Sequence, residues 1–339
     1  MLLVRLKKPC NNVCSLIEGR IVFGKNGCTK ELEMTTPPVE TLDQCDDAYD
    51  ELTGDVPLAR KRELIDSLLA AHQVINFNIG RGSVFWRARI SSPQGFATER
   101  ELSYPPPALT GVGRLNEPGQ PCLYLASRRD TAMAEISAIE GQHVHLAGFR
   151  ILPDKVLRLI AIGEWLHVHK TGYLRFGGRD PDNGVSRSMN SFPYQQARLL
   201  LYVDALLGAI LARGKDEDRE YLTTRLIAKA LYAKLPADGI CYPSVRDPLA
   251  MNVAVKREAA DKCMTGVCAQ VVHIIKIRRL GIYEFDSLLT ATGVDHEGSY
   301  KWQEADDPRH YNVYGLTPEE LKLQTQSLLD LTHGKEKSS

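Results

Sequence analysis

The sequence predicts an α+β fold, and three observations lead to that prediction. Short apolar runs with the two-residue period of half-buried strands recur in the middle of the chain, the first being "SVFWRARI" at 83–90. Two longer runs, at 193–214 and 219–235, have the spacing of helices instead. Strands and helices do not alternate regularly, which argues against a doubly wound parallel sheet.

Length and composition limit the class of protein. The 339 residues, 43% of them apolar and 25% charged, suffice for one elaborated domain or for two. Lys plus Arg and Asp plus Glu number 42 each, so no overall field favours nucleic acid or an anionic membrane. No apolar run approaches the roughly 20 residues that span a bilayer, and the N-terminus makes a poor secretory signal. We expect a cytoplasmic protein that has no direct nucleic-acid or membrane partner.

Cysteine and histidine spacing bears on metal binding. The eight cysteines are scattered, which favours reduced thiols over disulfides. Cys10, Cys14 and Cys28 leave a zinc site open, although the usual two-residue spacer is absent. The two "HVH" triplets, at 143–145 and 167–169, would each place two imidazoles on one strand face, without a carboxylate or thiol at matching spacing. We therefore predict no metal at the functional site.

The N-terminal part of the chain is heterogeneous. We treat residues 1–75 as an extension of unknown role, with a hairpin-like stretch at 18–28. A helical pattern at 60–72 places three leucines on one side of a helix: Leu64, Leu68 and Leu69.

The rest of the chain divides into a central domain at 76–290, with an insertion near 163–220, and a C-terminal helical extension at 291–339. Residues 163–190 are polar and rich in glycine, and "RFGGRDPDNG" at 175–184 within them predicts an exposed loop. A capping box predicts a helix at 317–333. The further strand candidates lie at 121–126, 143–152, 156–163, 238–245, 250–256 and 269–277.

One carboxylate, Glu135, falls in a stretch that otherwise has the pattern of a protein core. The strand "PCLYLA" puts Tyr124 and Ala126 on one face. In the helix that follows, Glu135 borders an apolar stripe made of Ala132, Met133, Ile136 and Ile139. Tyr124 and Glu135 could therefore line one cleft, the alternative being a boundary glutamate in water.

The start of that helix has its own signal. Ser127 is expected to cap the helix, with Asp130 returning the hydrogen bond.

Four blocks occur in an order that resembles the RES domain family of toxin-like enzymes. They are "FWRARI", "PPPALTGVGRLNEPGQPCLYLASRRDTAMAEI", "DGICYPS" and "AMNVAVK", and they cover roughly residues 83–257. Members of that family resemble ADP-ribosyltransferases in fold and act on NAD. The resemblance implies an ADP-ribosyltransferase-like core of short mixed strands with flanking helices, to which an N-terminal extension and a helical insertion are added.

The family is named for Arg, Glu and Ser residues in its pocket, which here match Arg87, Glu135 and Ser244. The resemblance makes Glu135 the carboxylate that stabilises the ribosyl cation formed as nicotinamide leaves. Arg87 would bind the diphosphate, because a guanidinium is a planar double donor. Ser244 would hydrogen-bond the ribose or the incoming phosphate or water.

Four further residues are assigned to substrate binding. Arg114 would assist Arg87 with the diphosphate, Tyr124 would wall the nicotinamide ribose, and Asn116 belongs to the same turn as Arg114. Arg89 would supplement Arg87, since both point to one face of a strand. The chain departs from the family where a tyrosine is expected near the first arginine, because Ala88 and Arg89 follow instead.

Each of these residues also has a structural alternative. Arg87 could belong to an ion pair, Arg114 could brace its own turn, Tyr124 could be a core residue, and Ser244 could simply belong to a turn.

The resemblance implies an enzyme that cleaves the nicotinamide–ribose bond of NAD, of the NAD phosphorylase or glycohydrolase type. NAD is then the substrate, no cofactor is needed, and phosphate or water accepts the ADP-ribose. The family context implies a bacterial toxin restrained by a helix-turn-helix type antitoxin, although residues 1–75 and 163–220 could instead cover the pocket in cis. The alternatives are a mono-ADP-ribosyltransferase that modifies a protein, and an inactive scaffold that binds a nucleotide or a partner.

Overall fold

The structure is a computed structural model of the chain. It describes residues 2–6, 13–17, 20–24, 36–80, 84–175, 178–180, 183–214, 221–247, 249–291 and 293–305. The predicted C-terminal helix at 317–333 lies outside these residues, as do Cys10 and Cys28.

The described chain contains strands and helices in mixed order. The strands are β1 Leu2–Leu6, β2 Val13–Ile17, β3 Arg20–Gly24, β4 Ile75–Ile79, β5 Phe85–Ser91, β6 Cys122–Ala126, β7 His143–Ile151, β8 Leu157–Ala161, β9 Tyr173–Leu174, β10 Gly178–Arg179, β11 Gly239–Pro243, β12 Met251–Lys256, β13 Met264–Ile277, β14 Tyr283–Ala291 and β15 Gln303–Glu304. The helices are α1 Leu42–Thr53, α2 Leu58–Ala71, α3 Glu99–Leu102, α4 Arg129–Glu135, α5 Glu164–Thr171, α6 Gly184–Asn190, α7 Tyr194–Ala212, α8 Leu222–Lys234 and α9 Arg257–Cys263. This content confirms the predicted α+β class, with mixed strand directions.

The chain forms two compact units, each built from several segments. Unit 1 takes Met1–Ile79, Pro105–Leu123 and Leu157–Ala259, and unit 2 takes Gly80–Tyr104, Tyr124–Val156 and Ala260–Ser339. The division of the sequence into an extension, a central domain and a C-terminal part stays a prediction.

In unit 1 the strand order is β1-β4-β8-β11-β12. Strands β8 and β11 run parallel, whereas the other neighbours with a registered pairing are antiparallel. Strand β8 is buried along most of its length, with Leu157, Leu159 and Ile160 fully buried, as expected for a strand covered on both faces. The helices α1, α2, α5, α7 and α8 pack against one another, and α7 also packs on β11.

Helix α7 has enough length and apolar character to cross a membrane, with a mean hydropathy of 1.2 over 18 residues. A buried core helix passes the same test. In unit 1 this helix packs against α1, α2, α5 and β11, and its Asp204 is fully buried and hydrogen-bonded. With 39% of that window buried, the helix packs one side on unit 1.

In unit 2 the strand order is β6-β5-β7-β13-β14-β15, with β6 contributing from Tyr124 onward, and each registered pair is antiparallel. One face of this sheet carries Trp86, Ala88 and Leu146, which form a buried cluster with Ala132 and Met133 of α4. The short helix α4 therefore covers that face, because its two apolar residues insert between the strands' side chains.

The strong periodic patterns of the sequence are confirmed. All six further strand candidates, the helix with Leu64, Leu68 and Leu69, and both long helices are present. A hairpin is present as the β2–β3 pair, but it begins earlier than the stretch at 18–28, which contains β3 and not β2.

Three predictions are wrong. The "HVH" of 167–169 lies on helix α5 and not on a strand, and the region 163–190 also contains α6 and the β9–β10 pair, which the sequence did not predict. Helix α4 ends at Glu135, so Ile139 lies outside it and is exposed. Arg128 and not Ser127 occupies the N-cap position of α4, and its side chain makes no capping bond.

Candidate functional site

Strand β5 separates from β6 at the predicted pocket arginine. In the described chain a single pair, Trp86 and Ala126, is registered between these two strands. Beside it, Nη1 of Arg87 donates to the backbone carbonyl of Tyr124 over 3.0 Å. In a continuous ladder a strand N–H would bond such a carbonyl, so the guanidinium takes the place of a strand partner.

The guanidinium of Arg87 is incompletely satisfied. Its Nε is buried and makes no hydrogen bond in the described structure. Burial, reinforced by the charge of Arg89, lowers the pKa of Arg87 to about 10. A buried cation without a carboxylate partner is costly to maintain, because water no longer solvates it. The arrangement therefore fits an anionic ligand.

Arg89 lies on the same face of β5 as Arg87. The two stand opposite His145 and Ala147 of β7, and directly opposed residues of an antiparallel pair share a face. Arg89 is exposed, donates to the carbonyl of Glu101, and places its guanidinium 4.8 Å from the centre of the Phe96 ring. Its contacts hold α3 against the sheet, and its charge acts on Arg87.

Tyr124 and Glu135 lie on the other face of the same sheet. Tyr124 is half-buried and lies on the same face of β6 as Ala126, which packs in the cluster under α4. Glu135 is the last residue of α4 and is exposed. The two side chains thus share the α4 side, while Arg87 reaches the backbone of Tyr124 at the break between β5 and β6.

A Schellman turn fixes the end of α4. Ser137 N–H donates to the Ala134 carbonyl over 3.0 Å, and Ala138 N–H donates to the Met133 carbonyl over 3.2 Å. Ser137 adopts the left-handed conformation, with φ of 52°. Glycine usually occupies this position, and other residues lose roughly 1–2 kcal/mol there.

In unit 1, Arg114 is committed to backbone contacts. Its Nη1 donates to the carbonyl of Leu211 over 2.7 Å and also to the carbonyl of Arg213, at the end of α7. The guanidinium lies 5.2 Å from the ring centre of Tyr221 and 5.7 Å from that of Tyr242. Arg114 therefore braces α7, α8 and β11, and its predicted contact with a diphosphate stays a prediction.

Asn116 and Ser244 also hold local turns. Nδ2 of Asn116 donates to the carbonyls of Gly111 and Glu117, over 3.1 and 3.0 Å. The hydroxyl oxygen of Ser244 accepts from the N–H groups of Arg246 and Asp247, both over 3.2 Å. Both residues are buried. For Ser244 this is the turn role that the sequence left open, and the substrate roles of both residues stay predictions.

The seven predicted site residues therefore fall into two groups. Arg87, Arg89, Tyr124 and Glu135 belong to unit 2, and Arg114, Asn116 and Ser244 belong to unit 1. Within unit 2, Arg87 bonds the backbone of Tyr124 at the β5–β6 break, and the assembly of the seven residues into one site stays a prediction.

Sequence patterns missed an arginine near that break. Arg129, in the first turn of α4, lies 5.2 Å from the ring centre of Trp86, and its Nη1 donates to the side chain of Gln270 over 3.0 Å. It tethers α4 to β5 and β13. Nothing in the local sequence signals this contact, since Gln270 lies on a distant strand.

The histidines of β7 have different environments. His143 is half-exposed and stacks on His273, with ring centres 4.7 Å apart. His145 is fully buried among Phe96, Tyr300 and Trp302, and burial lowers its pKa to about 4. Among the described residues, no three His, Cys, Asp or Glu side chains are grouped so that they could hold a metal ion.

Comparison with known protein families identifies the family to which the chain belongs. The RES domain matches residues 84–276, which is more than half of the 339 residues. The chain therefore belongs to the RES domain family, as its motifs predicted. The matched region begins next to β5 and ends in β13, so all seven predicted site residues lie within it.

One similar chain was found among solved structures, in a crystal structure of the M.tuberculosis MbcT-MbcA toxin-antitoxin complex. The identity is 12%, the likeness covers 56% of this chain and 80% of that one, and the TM-score is 0.29. No curated protein sequence matches the chain.

Proposed function

We propose that this protein cleaves the nicotinamide–ribose bond of NAD. The observation that carries the proposal is the half-buried guanidinium of Arg87, whose buried Nε has no partner in the described structure. The diphosphate of NAD is an anion that a guanidinium binds with two parallel hydrogen bonds. Membership of the RES domain family supports NAD as the substrate.

The chemistry requires little more than a carboxylate. Nicotinamide leaves as a neutral base from a cationic pyridinium, so no strong general acid is needed. As the bond stretches, positive charge develops on the ribose, and a fixed carboxylate nearby stabilises it. Glu135 is exposed at the end of a helix whose final turn is locked by two backbone hydrogen bonds, so it is both accessible and held in place.

Phosphate or water accepts the ADP-ribose in this proposal, which makes the enzyme an NAD phosphorylase or an NAD glycohydrolase. We include in the same proposal an ADP-ribosyltransferase-like arrangement of the core, a cytoplasmic location, and a role as a bacterial toxin restrained by an antitoxin of the helix-turn-helix type. No cofactor takes part, because NAD is itself the reactant.

A second candidate is a scaffold that binds a nucleotide without turnover. The observation that favours it is the commitment of Arg114 and Ser244 to backbone groups, which leaves fewer side-chain contacts for a substrate. A mono-ADP-ribosyltransferase that modifies a protein would use the same unit 2 residues, and differs only in the acceptor.

Purified protein incubated with NAD, with and without inorganic phosphate, tests the proposal. Nicotinamide release in both conditions indicates a glycohydrolase, and release that depends on phosphate, together with ADP-ribose 1″-phosphate, indicates a phosphorylase. Binding of NAD without release would favour the scaffold. ADP-ribose that remains attached to an added protein would identify the transferase.

A further inference from the structure

The turn that follows Glu135 contains an unusual residue choice. Among the described residues, seven glycines have left-handed φ values, but only four other residues do: Ser137, Asn183, Tyr221 and Leu280. Glycine adopts this conformation freely, and asparagine tolerates it better than most residues. A serine at the end of α4 is therefore a destabilising choice that a glycine would have avoided.

The side chain of Ser137 recovers none of this cost within the described structure. Its hydroxyl forms no hydrogen bond there, and the residue is exposed. The neighbours on either side of the turn are anchored, because Met133 and Ala138 are both buried in the cluster under β5. The backbone of the turn is thus held in place two residues beyond Glu135, and the side chain of Ser137 is exposed there.

Strained residues of this kind tend to persist where the side chain serves a function. We propose that Ser137 is a substrate-binding residue, whose hydroxyl hydrogen-bonds a ribose hydroxyl of NAD next to the carboxylate of Glu135. A neutral hydroxyl can both donate to and accept from a sugar hydroxyl, and it leaves the charge of Glu135 unchanged. This inference rests on the proposed function.

The test compares Ser137→Gly, Ser137→Ala and a control, Leu280→Gly. Leu280 shares the left-handed conformation, with φ of 66°, but it lies 99% exposed in the β13–β14 hairpin and is outside the proposed site. Both glycine variants relieve backbone strain, so each should raise the melting temperature. Ser137→Ala removes the hydroxyl and retains the strain.

We expect Ser137→Gly and Ser137→Ala to lower kcat/KM for NAD by about tenfold, as for the loss of one substrate hydrogen bond. The loss should fall mainly on KM, because the contact already exists in the ground state. Leu280→Gly should keep the parent kcat/KM. A serine that served only the turn would give a more stable Ser137→Gly protein with unchanged kinetics, and that result would overturn the inference.

The parent protein distinguishes this inference from the proposed function. If the parent binds NAD without releasing nicotinamide, affinity replaces kcat/KM as the measurement, and equal affinities of the parent and Ser137→Ala overturn the inference. If the parent neither binds nor cleaves NAD, the proposed function fails first and this inference fails with it.

Discussion

In unit 1, buried ionic groups are bonded to the ends of secondary structure. Lys61 donates to the carbonyl of Leu52 at the end of α1 over 2.5 Å, and Lys234 donates to the carbonyl of Leu69 near the end of α2. Asp204 accepts from the N–H groups of Gly163 and Trp165 over 2.9 and 2.8 Å, and so caps α5. In unit 2, Arg87 bonds the carbonyl of Tyr124 and Glu135 is exposed. A buried Nε without a hydrogen bond occurs in both units, at Arg87 in unit 2 and at Arg158 and Arg225 in unit 1.

This difference indicates what each set of polar residues does. A charged group that satisfies helix termini contributes stability, because those backbone groups have no partner within the helix. A buried cation that keeps unused donors reduces stability until a ligand binds. We therefore expect substitutions in unit 1 to affect mainly the melting temperature, and those at the β5–β6 break to affect mainly NAD turnover.

The largest effect is expected for Asp204→Ala. Asp204 caps α5 and also pairs with His72, whose Nε2 lies 3.0 Å from its Oδ1, and both side chains are fully buried. Removing one member of such a buried pair costs roughly 3–5 kcal/mol, which corresponds to about 10 °C in melting temperature. Thermal unfolding measures it. The exposed Asp66 of α2 supplies the control, since Asp66→Ala should leave the melting temperature within a degree or two.

Glu135→Gln tests the catalytic side of the comparison. The substitution keeps the shape of the side chain and removes the charge that stabilises the ribosyl cation. The rate of nicotinamide release should fall on the order of a hundredfold, with little change in NAD affinity or melting temperature. Glu304 is also exposed in unit 2, and Glu304→Gln should behave as the parent does. Near-parent turnover by a folded Glu135→Gln protein would exclude the proposed role.

Exchange of arginine for lysine should have opposite consequences in the two units. Arg87→Lys keeps the charge but loses the planar double donor, so KM for NAD should rise about tenfold while the melting temperature changes little. Arg114→Lys loses the bonds to two carbonyls and the contacts with two tyrosine rings. We expect a loss of roughly 2 kcal/mol, seen as several degrees in melting temperature, with KM nearly unchanged. If Arg114→Lys raised KM without destabilising the protein, Arg114 would be a substrate ligand after all.

The smallest effect concerns pH, and its sign differs between the units. In unit 2 burial lowers the pKa of His145 to about 4, below the usual 6.5. The unfolded chain therefore takes up a proton first, and stability is lost as pH falls from about 6.5 towards 4. In unit 1 burial raises the pKa of Glu164 from 4.5 to about 7, although Arg175 opposes the shift. Stability is then lost as pH rises from about 4.5 to 7.

Melting temperatures measured between pH 5 and 8 check both signs. The variant His145→Asn retains an acceptor for the Phe96 N–H, which the Nδ1 of His145 accepts over 3.0 Å. As pH falls from 6.5 to 5, the free energy of unfolding should decrease by about 1–2 kcal/mol more in the parent than in this variant. Glu164→Gln should remove the loss of stability that the parent shows as pH rises from 5 towards 7. Parallel pH profiles for the parent and both variants would show that neither group titrates as described.

The strong local signals of the sequence predicted most of the fold. Alternating apolar residues identified β5, β6 and β7, and helical spacing identified α2, α7 and α8, because in each case one face is buried along the whole element. The helices α5 and α6 were not predicted, because they are short and the signals that form them are not local. Helix α5 begins after a glycine, and its N-terminus is capped by Asp204, which lies about forty residues later in the chain.

The sequence alone determined the α+β class, the RES domain family and the identity of the candidate residues, since these depend on periodicity and on motifs in a fixed order. Only the tertiary structure decided what those residues contact. The same residue type, arginine, braces a helix end at position 114 and retains an unused donor at position 87. The reason is physical, because the environment of a side chain is set by strands and helices that lie far away in the sequence, as α7 does for Arg114 and β6 does for Arg87.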